Sequence, residues 1–497
     1  MKVFLKRTLS PFVQLREDES TTLLLMFSYS FLAMAGYNVV KPATRSQFIS
    51  SLGAENLPYV LLATGLLMGF VIQGYNKAMA LLPRRYVFPG TQLVMVGLLV
   101  MFWALFRTGQ SWVSVVFYFW GALAGSLLIS QFWTLANDLY DPRQAKRLFG
   151  FIGGGSSLGG IVGAGLASRL ARPIGTENLL LVGAAFLGAC FFAVGGVVAS
   201  RKTATVESKR TSEEKGMSLI EAARLLVQSK HFRLIAMVIG FASIGAGIID
   251  QQLNMAVDEL IPAKNDRTRF LADVIFYSSI AGFLIQMTLT SRMHRLLGIG
   301  FALLILPVSL ASTALLMLFN PALWASSLAR VADTALRYTA DKTTREILFM
   351  PLPTELKYKA KPFADVAVDR LARGAGAALA LIVAIQVFHL TWWQLSYISI
   401  PIAALWAVMA IRVRKEYIET FRQSIEKQVV EPAEVRLSVA DLSTVETLVE
   451  ELANPDERRV LYAIDLLESF EKRNLITPLL LHHESDKVRA RALGALA

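Results

Sequence analysis

The sequence predicts an all-α polytopic membrane protein with twelve transmembrane helices in a 6+6 arrangement, followed by a cytoplasmic α-helical segment. Three observations support this fold class. Of the 497 residues, 54% are hydrophobic. Apolar runs of about 20 residues, long enough to cross a bilayer, recur along most of the chain. After the last run, the composition changes to charged, amphipathic stretches.

The predicted spans place both chain ends on the same side, because their number is even. Lys and Arg precede span 1 and follow spans 2, 4 and 8, which predicts cytoplasmic termini. The start of the chain lacks the order of a cleavable signal or a transit peptide, so the bacterial inner membrane is the predicted location. The spans lie at residues 21–41, 57–76, 86–106, 112–135, 148–170, 178–200, 232–252, 270–290, 298–319, 322–347, 364–388 and 392–412.

The longest polar break, "SRKTATVESKRTSEEKGMS", follows span 6. It predicts an N-terminal half at 1–200, a cytoplasmic linker at 201–231 and a C-terminal half at 232–412. A weak repeat supports the division, since "QAKRLFGFIGGGSSLGG" enters span 5 and "KAKPFADVAVDRLARGAG" enters span 11. This is the layout of a major facilitator transporter, which predicts a site between the two halves.

Residues 413–497 predict a charged linker helix and HEAT-like helical repeats. "VETLVEELANPDERRVLYAIDLLESFEK" pairs two amphipathic stretches about an Asn-Pro-Asp turn. "LITPLLLHHESDKVRARALGALA" begins the pattern again and stops partway, which predicts an incompletely represented chain. Such repeats suit a cytoplasmic protein partner or a regulatory role.

Composition excludes several function classes. The net charge of +12 is explained by topology rather than by a nucleic-acid partner. Cys190 is the single cysteine, so no intramolecular disulfide forms. Adjacent His482 and His483 do not suit one metal ion, and no nucleophile–base pair or cofactor loop is visible. The sequence predicts no enzyme, no metal and no cofactor.

Ionisable groups inside spans are the candidate functional residues, because each costs about 2.5–3.5 kcal/mol at a helix centre. Lys41 precedes Pro42, which is predicted to end span 1; Lys41 either extends to the membrane interface or faces a cavity, and Arg45 follows one turn later. Asp250 occupies the corresponding place in span 7. A cavity role for Asp250 is favoured over a structural ion pair.

Spans 4 and 10 add further candidates. Asn137 is one of several polar residues near the end of span 4. Span 10 spaces four charges by four residues, which predicts a paired stripe on one helix face: Asp333, Arg337, Asp341 and Arg345. A self-neutralised structural ladder and a functional role both remain open, with Arg337 and Glu346 as candidates.

Span 11 begins with charge and continues with small residues. Asp365, Asp369 and Arg373 share a face that leads to Gly376, where another helix can approach closely. Arg370 and Arg373 suit an anionic substrate, because guanidinium groups bind phosphate and carboxylate. In span 5, "GFIGGGSSLGGIVGAG" lacks the Gly-Lys-Ser/Thr ending of a phosphate loop and predicts close helix packing instead.

Two segments resemble a known family. "FWTLANDLYDPRQAKRLFG" matches its FW-x-x-AN…AKR pattern, and "RYTADKTTREILFMPLPTELKYKAKPFADVAVDRLARGAG" matches KE-x-x-YIPLD, KAA-x-DV and R-x-GK. The family is that of the nucleotide-transporting ATP/ADP translocases of plastids and obligate intracellular bacteria, and the likeness covers about residues 25–410. The matching residues are Phe132, Trp133, Ala136, Asn137, Ala145, Lys146, Arg147, Tyr338, Glu346, Pro351, Leu352, Glu355, Leu356, Lys357, Lys359, Lys361, Asp365, Val366 and Arg370.

The resemblance implies a nucleotide or related phosphorylated anion as the substrate. Lys41, Arg337 and Arg370 are then expected to hold phosphate, Asn137 to bind ribose or base, and Asp250 to gate the site. The sequence departs from the family pattern at three places. The segment "KPATRSQ" keeps Lys41 and Arg45 but lacks the neighbouring acids of the family. Tyr118 stands in place of a glutamate, and Asn254 stands in place of a lysine. We assign to the substrate site Lys41, Arg45, Asn137, Asp250, Arg337, Glu346, Arg370 and Arg373, and to a cytoplasmic gate Lys146, Arg147, Lys359 and Lys361.

Two alternatives to nucleotide transport stay open at this point. The same fold can be refitted for another anionic or amphiphilic solute, such as a lipid. The protein can also be a membrane scaffold or sensor that acts through the HEAT-like segment. Partly unpaired charges that line a cavity favour transport, whereas complete pairing into ladders favours a scaffold.

Overall fold

All regular secondary structure in the described residues is helical. This computed structural model describes residues 20–64, 74, 84–140, 142–200, 224, 229–288, 290–352, 363–380, 382, 387–426, 442–470 and 472–496. The chain forms two compact units: residues 1–214, 250–280 and 381–392 make the first, and residues 215–249, 281–380 and 393–497 make the second.

Seven long helices lie between residues 20 and 288 of the described chain. Their bounds are α1 (Ser20–Leu52), α2 (Arg84–Leu105), α3 (Ser111–Leu139), α4 (Pro142–Ile174), α5 (Leu179–Ser200), α6 (Lys230–Leu260) and α7 (Lys264–Thr288). Residues 57–64 are also helical. In the first unit, α1 packs on α3, α4 and α5, and α2 packs on α5.

The rest of the described chain contains further helices and two π-helical turns. They are α8 (Thr290–Phe319), α9 (Leu323–Leu336), a π-helical turn (Arg337–Asp341), α10 (Lys342–Leu348), a second π-helical turn (Phe363–Val368), α11 (Asp369–Leu379), α12 (Ser396–Glu426), α13 (Leu442–Glu451), α14 (Glu457–Ser469) and α15 (Asp486–Leu496). In the second unit, α8 packs on α9 and α12. A left-handed backbone at Gly298 (φ 71°) breaks α8 near its start.

Nine helices of the described chain are long and apolar enough to cross a membrane: α1 to α8 and α12. An integral membrane protein is therefore confirmed. The predicted spans 2, 10 and 11 are not among the nine: span 2 lies largely outside the described residues, and spans 10 and 11 are broken by π-helical turns. The exact number of twelve remains a prediction.

The predicted break at Pro42 is wrong, because α1 continues through it to Leu52. Proline removes one backbone hydrogen bond from a helix. The helix nevertheless continues, since almost every residue from 42 to 49 is buried and tertiary packing holds the segment in place.

A glycine stripe on α4, formed by Gly155, Gly159 and Gly163, packs directly against the backbone of α1. A Cβ atom at Gly159 would lie 2.2 Å from the carbonyl oxygen of Phe31, and one at Gly163 would lie 2.3 Å from that of Ala35. No side chain fits at such distances. The predicted role of the small residues in helix packing is confirmed.

The loop between α4 and α5 is tied to α1 and α7 within the first unit. Glu177 accepts hydrogen bonds from Gln47 (3.0 Å) and from the ammonium group of Lys264. Burial raises the pKa of Glu177, but the bonds from Lys264 and Gln47 outweigh it, so the pKa lies below its ordinary value. The ionised carboxylate therefore stabilises the fold.

Replacement of Glu177 with glutamine is expected to weaken the acid sensitivity of the protein. Because the folded pKa is lowered, the stabilisation is present above the unfolded pKa near 4.3 and is lost as the pH falls through the folded pKa. The effect is at most about 1 kcal/mol, because the side chain is partly exposed. Thermal unfolding in detergent from pH 6 to pH 3 measures it; parallel curves for Glu177→Gln and the unmodified protein would contradict the assignment.

After the membrane helices, the chain forms a helical segment within the second unit. The predicted linker helix is the continuation of α12, and α13 and α14 form the predicted pair about the Asn-Pro-Asp turn. Asp456 caps α14 by accepting from the backbone N–H of Arg458 at 2.9 Å. The second copy differs from the first, because residues Pro478–His482 form a 3-10 helix before α15.

Candidate functional site

A ladder of buried charges occupies α9, the π-helical turn and α10. Arg337 donates to both carboxylate oxygens of Asp333, at 2.5 and 3.4 Å. One π-helical turn later, Arg345 pairs with Asp341 at 2.9 Å. Asp333, Arg337 and Asp341 are at most 5% exposed. The predicted pairing at intervals of four is confirmed.

Arg337 is held by more than its ion pair. Its Nη2 atom also donates to the carbonyl oxygen of Ala242 on α6, at 2.7 Å. The other terminal nitrogen, Nη1, is buried and has no hydrogen-bond partner among the described residues. The residue opens a π-helical turn, a feature that is frequent at functional sites. One terminal nitrogen of a fixed guanidinium therefore has no acceptor among the described residues.

A cavity of about 210 Å³ lies beside this ladder. Its volume is below the roughly 300–1,000 Å³ of pockets that enclose a whole drug-sized ligand, and it suits the phosphate end of a larger one. Three of the predicted site residues, Arg337, Glu346 and Arg373, line it. The described residues that line it are Arg337, Tyr338, Lys342, Arg345, Glu346, Phe349, Asp369 and Arg373.

The described lining of the cavity carries more positive than negative charge. Among its eight described residues, four are cationic and two are acidic. On α11, Arg373 lies 3.6 Å from Asp369, which also accepts a 2.5 Å hydrogen bond from Ser243 on α6. The pair is loose and about a quarter to a third exposed. Arg373 is therefore accessible to an anion.

The helices that carry these groups approach each other closely. A Cβ atom at Gly376 would lie 2.5 Å from the carbonyl oxygen of Ile244 on α6. The close approach that was predicted at Gly376 is confirmed. It brings Ser243 of α6 and Asp369 of α11 into hydrogen-bond contact.

Arg45 and Asp250 form a second charged site, in the first unit. Arg45 on α1 donates two parallel hydrogen bonds to Asp250 on α6, at 2.7 and 2.9 Å. Their side chains are 16% and 12% exposed. Bidentate geometry makes such a pair strong. The structure thus joins two predicted site residues as an ion pair, the interpretation that the sequence analysis favoured less; a gating role remains a prediction.

The other predicted site residues lie elsewhere. Lys41 places its ammonium group 5.7 Å from the ring centre of Tyr37, a cation–π contact. Asn137 and Arg370 are exposed, and neither is among the residues that line the cavity. The backbone of Arg147 lies in α4 and its side chain is half-buried. The side chain of Lys146, together with Lys359 and Lys361, lies outside the described residues.

Sequence reasoning did not assign several lining residues to the site. Lys342 was not singled out, Arg345 was treated as part of the ladder, and Tyr338 was noted only as a family match. A usable signal was present, because Tyr338, Lys342 and Glu346 are spaced by four on the helix that carries the ladder. Across the described residues, no cluster of His, Cys, Asp and Glu suits a metal ion.

The arrangement can bind a polyanion reversibly. Buried guanidinium and exposed ammonium groups provide charge-assisted hydrogen bonds to phosphate oxygens. The aromatic rings of Tyr338 and Phe349 provide apolar surface at the same cavity. A phosphorylated organic molecule with an aromatic part fits this combination of groups.

Comparison with known sequences supports a nucleotide carrier. A family model described as TLC ATP/ADP transporter matches residues 46–340. ADP,ATP carrier protein 3 of Rickettsia felis is 22% identical over 366 residues, covering 63% of this chain and 72% of the carrier. ADP,ATP carrier protein 4 of Rickettsia bellii is 22% identical over 468 residues, covering 82% of this chain and 87% of that carrier.

Comparison with solved structures identifies the fold. The nucleoside transporter NupG superposes with a TM-score of 0.53 at 14% identity, covering 79% of this chain and 98% of NupG. A point mutant of NupG gives the same TM-score and covers 80% of this chain and all of that protein. The predicted major facilitator fold is thereby confirmed at the level of architecture.

Proposed function

Because the chain belongs to the TLC ATP/ADP transporter family, we propose that it is a secondary transporter that exchanges nucleotides of the ATP/ADP type by alternating access. The similarity to ADP,ATP carrier proteins over most of the chain supports this function. Exchange of a charged nucleotide across a membrane requires a site that replaces the water around its phosphates.

The observation that carries the proposal is the unfilled bonding capacity of Arg337. A guanidinium that is 3% exposed, fixed by Asp333 and by Ala242, keeps one terminal nitrogen without a partner among the described residues. Phosphate oxygens are suitable acceptors for that nitrogen. Arg345 and Arg373 line the same cavity and supply further donors.

The remaining site assignments extend this proposal. Lys41 and Arg370 are proposed to contact phosphate, and Asn137 ribose or base, in other states of the transport cycle. The bidentate bond between Arg45 and Asp250 supports a gating role, because two strong hydrogen bonds must break before these two side chains can separate.

The broader organisation is also a proposal. Twelve spans in two halves, cytoplasmic termini and a bacterial inner membrane agree with the nine membrane helices of the described chain and with bacterial relatives. Helices α13 to α15 support a HEAT-like cytoplasmic module that modulates transport or binds a protein. A lipid carrier and a non-transporting scaffold are not favoured, because the sequence relatives are nucleotide carriers and the ladder leaves Arg337 partly unbonded.

Exchange in liposomes tests the function. Purified protein in liposomes loaded with unlabelled ATP is expected to take up labelled ADP, and Arg373→Gln is expected to reduce the uptake at least about tenfold. The loss of one hydrogen bond to a charged group, about 1.5–3 kcal/mol, gives this magnitude. Arg373 is chosen because its partial exposure makes a folded variant achievable.

Lys415→Gln on α12 is the matched control, since Lys415 is exposed and is not one of the cavity-lining residues. It is expected to transport like the unmodified protein. Absence of nucleotide uptake by the unmodified protein would refute the function. Normal uptake by Arg373→Gln would instead refute the assignment of the cavity.

A further inference from the structure

A second row of side chains runs beside the buried ladder. Tyr338, Lys342 and Glu346 follow one another at intervals of four residues, so each lies about one turn from the next. All three are exposed and line the cavity. We call these three residues the exposed stripe. It presents an aromatic ring, a cation and an acid in that order.

Lys342 differs from the other cations of the cavity in its pairing. Arg337, Arg345 and Arg373 each have a carboxylate within 3.6 Å on the same helical segment. Within the described part of the chain, no carboxylate pairs with Lys342. A paired cation shares its charge with the resident carboxylate, whereas an unpaired one offers its full charge to a ligand.

We propose that Lys342 sets the preference of the site for the number of phosphate groups on the nucleotide, with Glu346 opposing it. This inference rests on the proposed nucleotide transport. Each added phosphate brings negative charge, which Lys342 attracts and Glu346, one turn further along the stripe, repels. Tyr338 lines the same cavity and supplies an aromatic ring on which a base can stack.

The stripe also explains how the site distinguishes related nucleotides. In the buried ladder, each of the two cations Arg337 and Arg345 is paired with a carboxylate. Lys342 and Glu346 are exposed, so their interaction with the ligand depends on how much charge reaches them. The preference between ATP, ADP and AMP therefore depends on two side chains of opposite sign.

Binding constants of detergent-purified variants test the inference. Lys342→Gln is expected to weaken the binding of ATP about tenfold relative to that of AMP. The effect on ADP binding should be intermediate, and adenosine binding should be unchanged. Glu346→Gln is expected to act in the opposite direction and to strengthen the binding of ATP about threefold relative to that of AMP. Lys415→Gln is the matched control, because Lys415 is an exposed lysine on α12 that is not among the described cavity-lining residues. This variant should keep the relative affinities for ATP, ADP and AMP of the unmodified protein.

The outcomes separate this inference from the transport proposal. If the unmodified protein binds no nucleotide, the transport proposal fails. The role of Lys342 is refuted if the unmodified protein binds nucleotides but Lys342→Gln leaves the ratio of the ATP and AMP binding constants unchanged. It is also refuted if Lys342→Gln weakens the binding of all ligands, including adenosine, equally. A shift of the same sign in both Lys342→Gln and Glu346→Gln would also refute it, because substitutions of opposite charge should act oppositely.

Discussion

Replacing Asp333 with alanine is expected to lower the free energy of unfolding by about 3–5 kcal/mol, because this carboxylate neutralises the buried guanidinium of Arg337. Both side chains are at most 4% exposed. Without Asp333, two of the hydrogen bonds of Arg337 are lost and a charge remains in a region that water hardly reaches. Arg330, 3.7 Å from Asp333, loses its neighbouring acid as well.

Unfolding of the detergent-solubilised protein by heat or by denaturant measures the loss. The double variant Asp333→Leu with Arg337→Met is expected to recover most of the stability, because an apolar pair of similar volume often replaces a buried ion pair at little cost. It should not recover nucleotide exchange, since Arg337 is the proposed phosphate ligand. Recovered stability without transport would separate the structural role of the ladder from its functional one.

An exposed ion pair provides the control for this prediction. Asp266 accepts from Arg172 at 2.6 Å, but the side chains are 37% and 57% exposed. Solvent screens such pairs and makes their contribution small. Asp266→Ala should therefore change stability far less than Asp333→Ala. Equal losses in the two variants would mean that the burial of the ladder does not determine its importance.

Local patterns were predictable from the sequence. The ladder of Asp333, Arg337, Asp341 and Arg345 follows from a spacing of four, and the glycine stripe of α4 follows from small residues that repeat on one face. Such signals depend on neighbours within a turn or two, which the chain order already specifies. The π-helical turn at Arg337–Asp341 was not predicted, because a spacing of four does not distinguish an α-helix with one inserted residue from a regular one.

Long-range contacts were not predictable in the same way. Arg45 and Asp250 were both candidates, but their bidentate pairing joins residues 205 positions apart, and the order of residues along the chain does not specify which distant groups meet. Lys342 was not predicted because it neither matches the family pattern nor interrupts an apolar run. Its importance arises from an absence, the lack of an acidic partner among the described residues, and an absence of this kind requires the positions of the surrounding carboxylates.

Substitution of Gly159 by alanine is expected to destabilise the protein by about 1–3 kcal/mol, although alanine is the better helix former. The added methyl group would lie 2.2 Å from the carbonyl oxygen of Phe31. Backbone atoms cannot move aside as a flexible side chain can, so α1 and α4 must separate. Separation weakens contacts along both helices, and the cost exceeds any gain in helix propensity.

Gly154→Ala on the same helix is the matched control. A Cβ atom at Gly154 meets no described atom within 4 Å. Alanine there should be neutral or should stabilise by up to about 1 kcal/mol, because glycine loses more conformational freedom on folding. The two single-methyl substitutions, five residues apart, are therefore expected to have opposite effects on the unfolding transition in detergent. Stabilisation by both would show that α1 and α4 are not in close contact, and the packing that positions Lys41 and Arg45 on α1 would then need a different explanation.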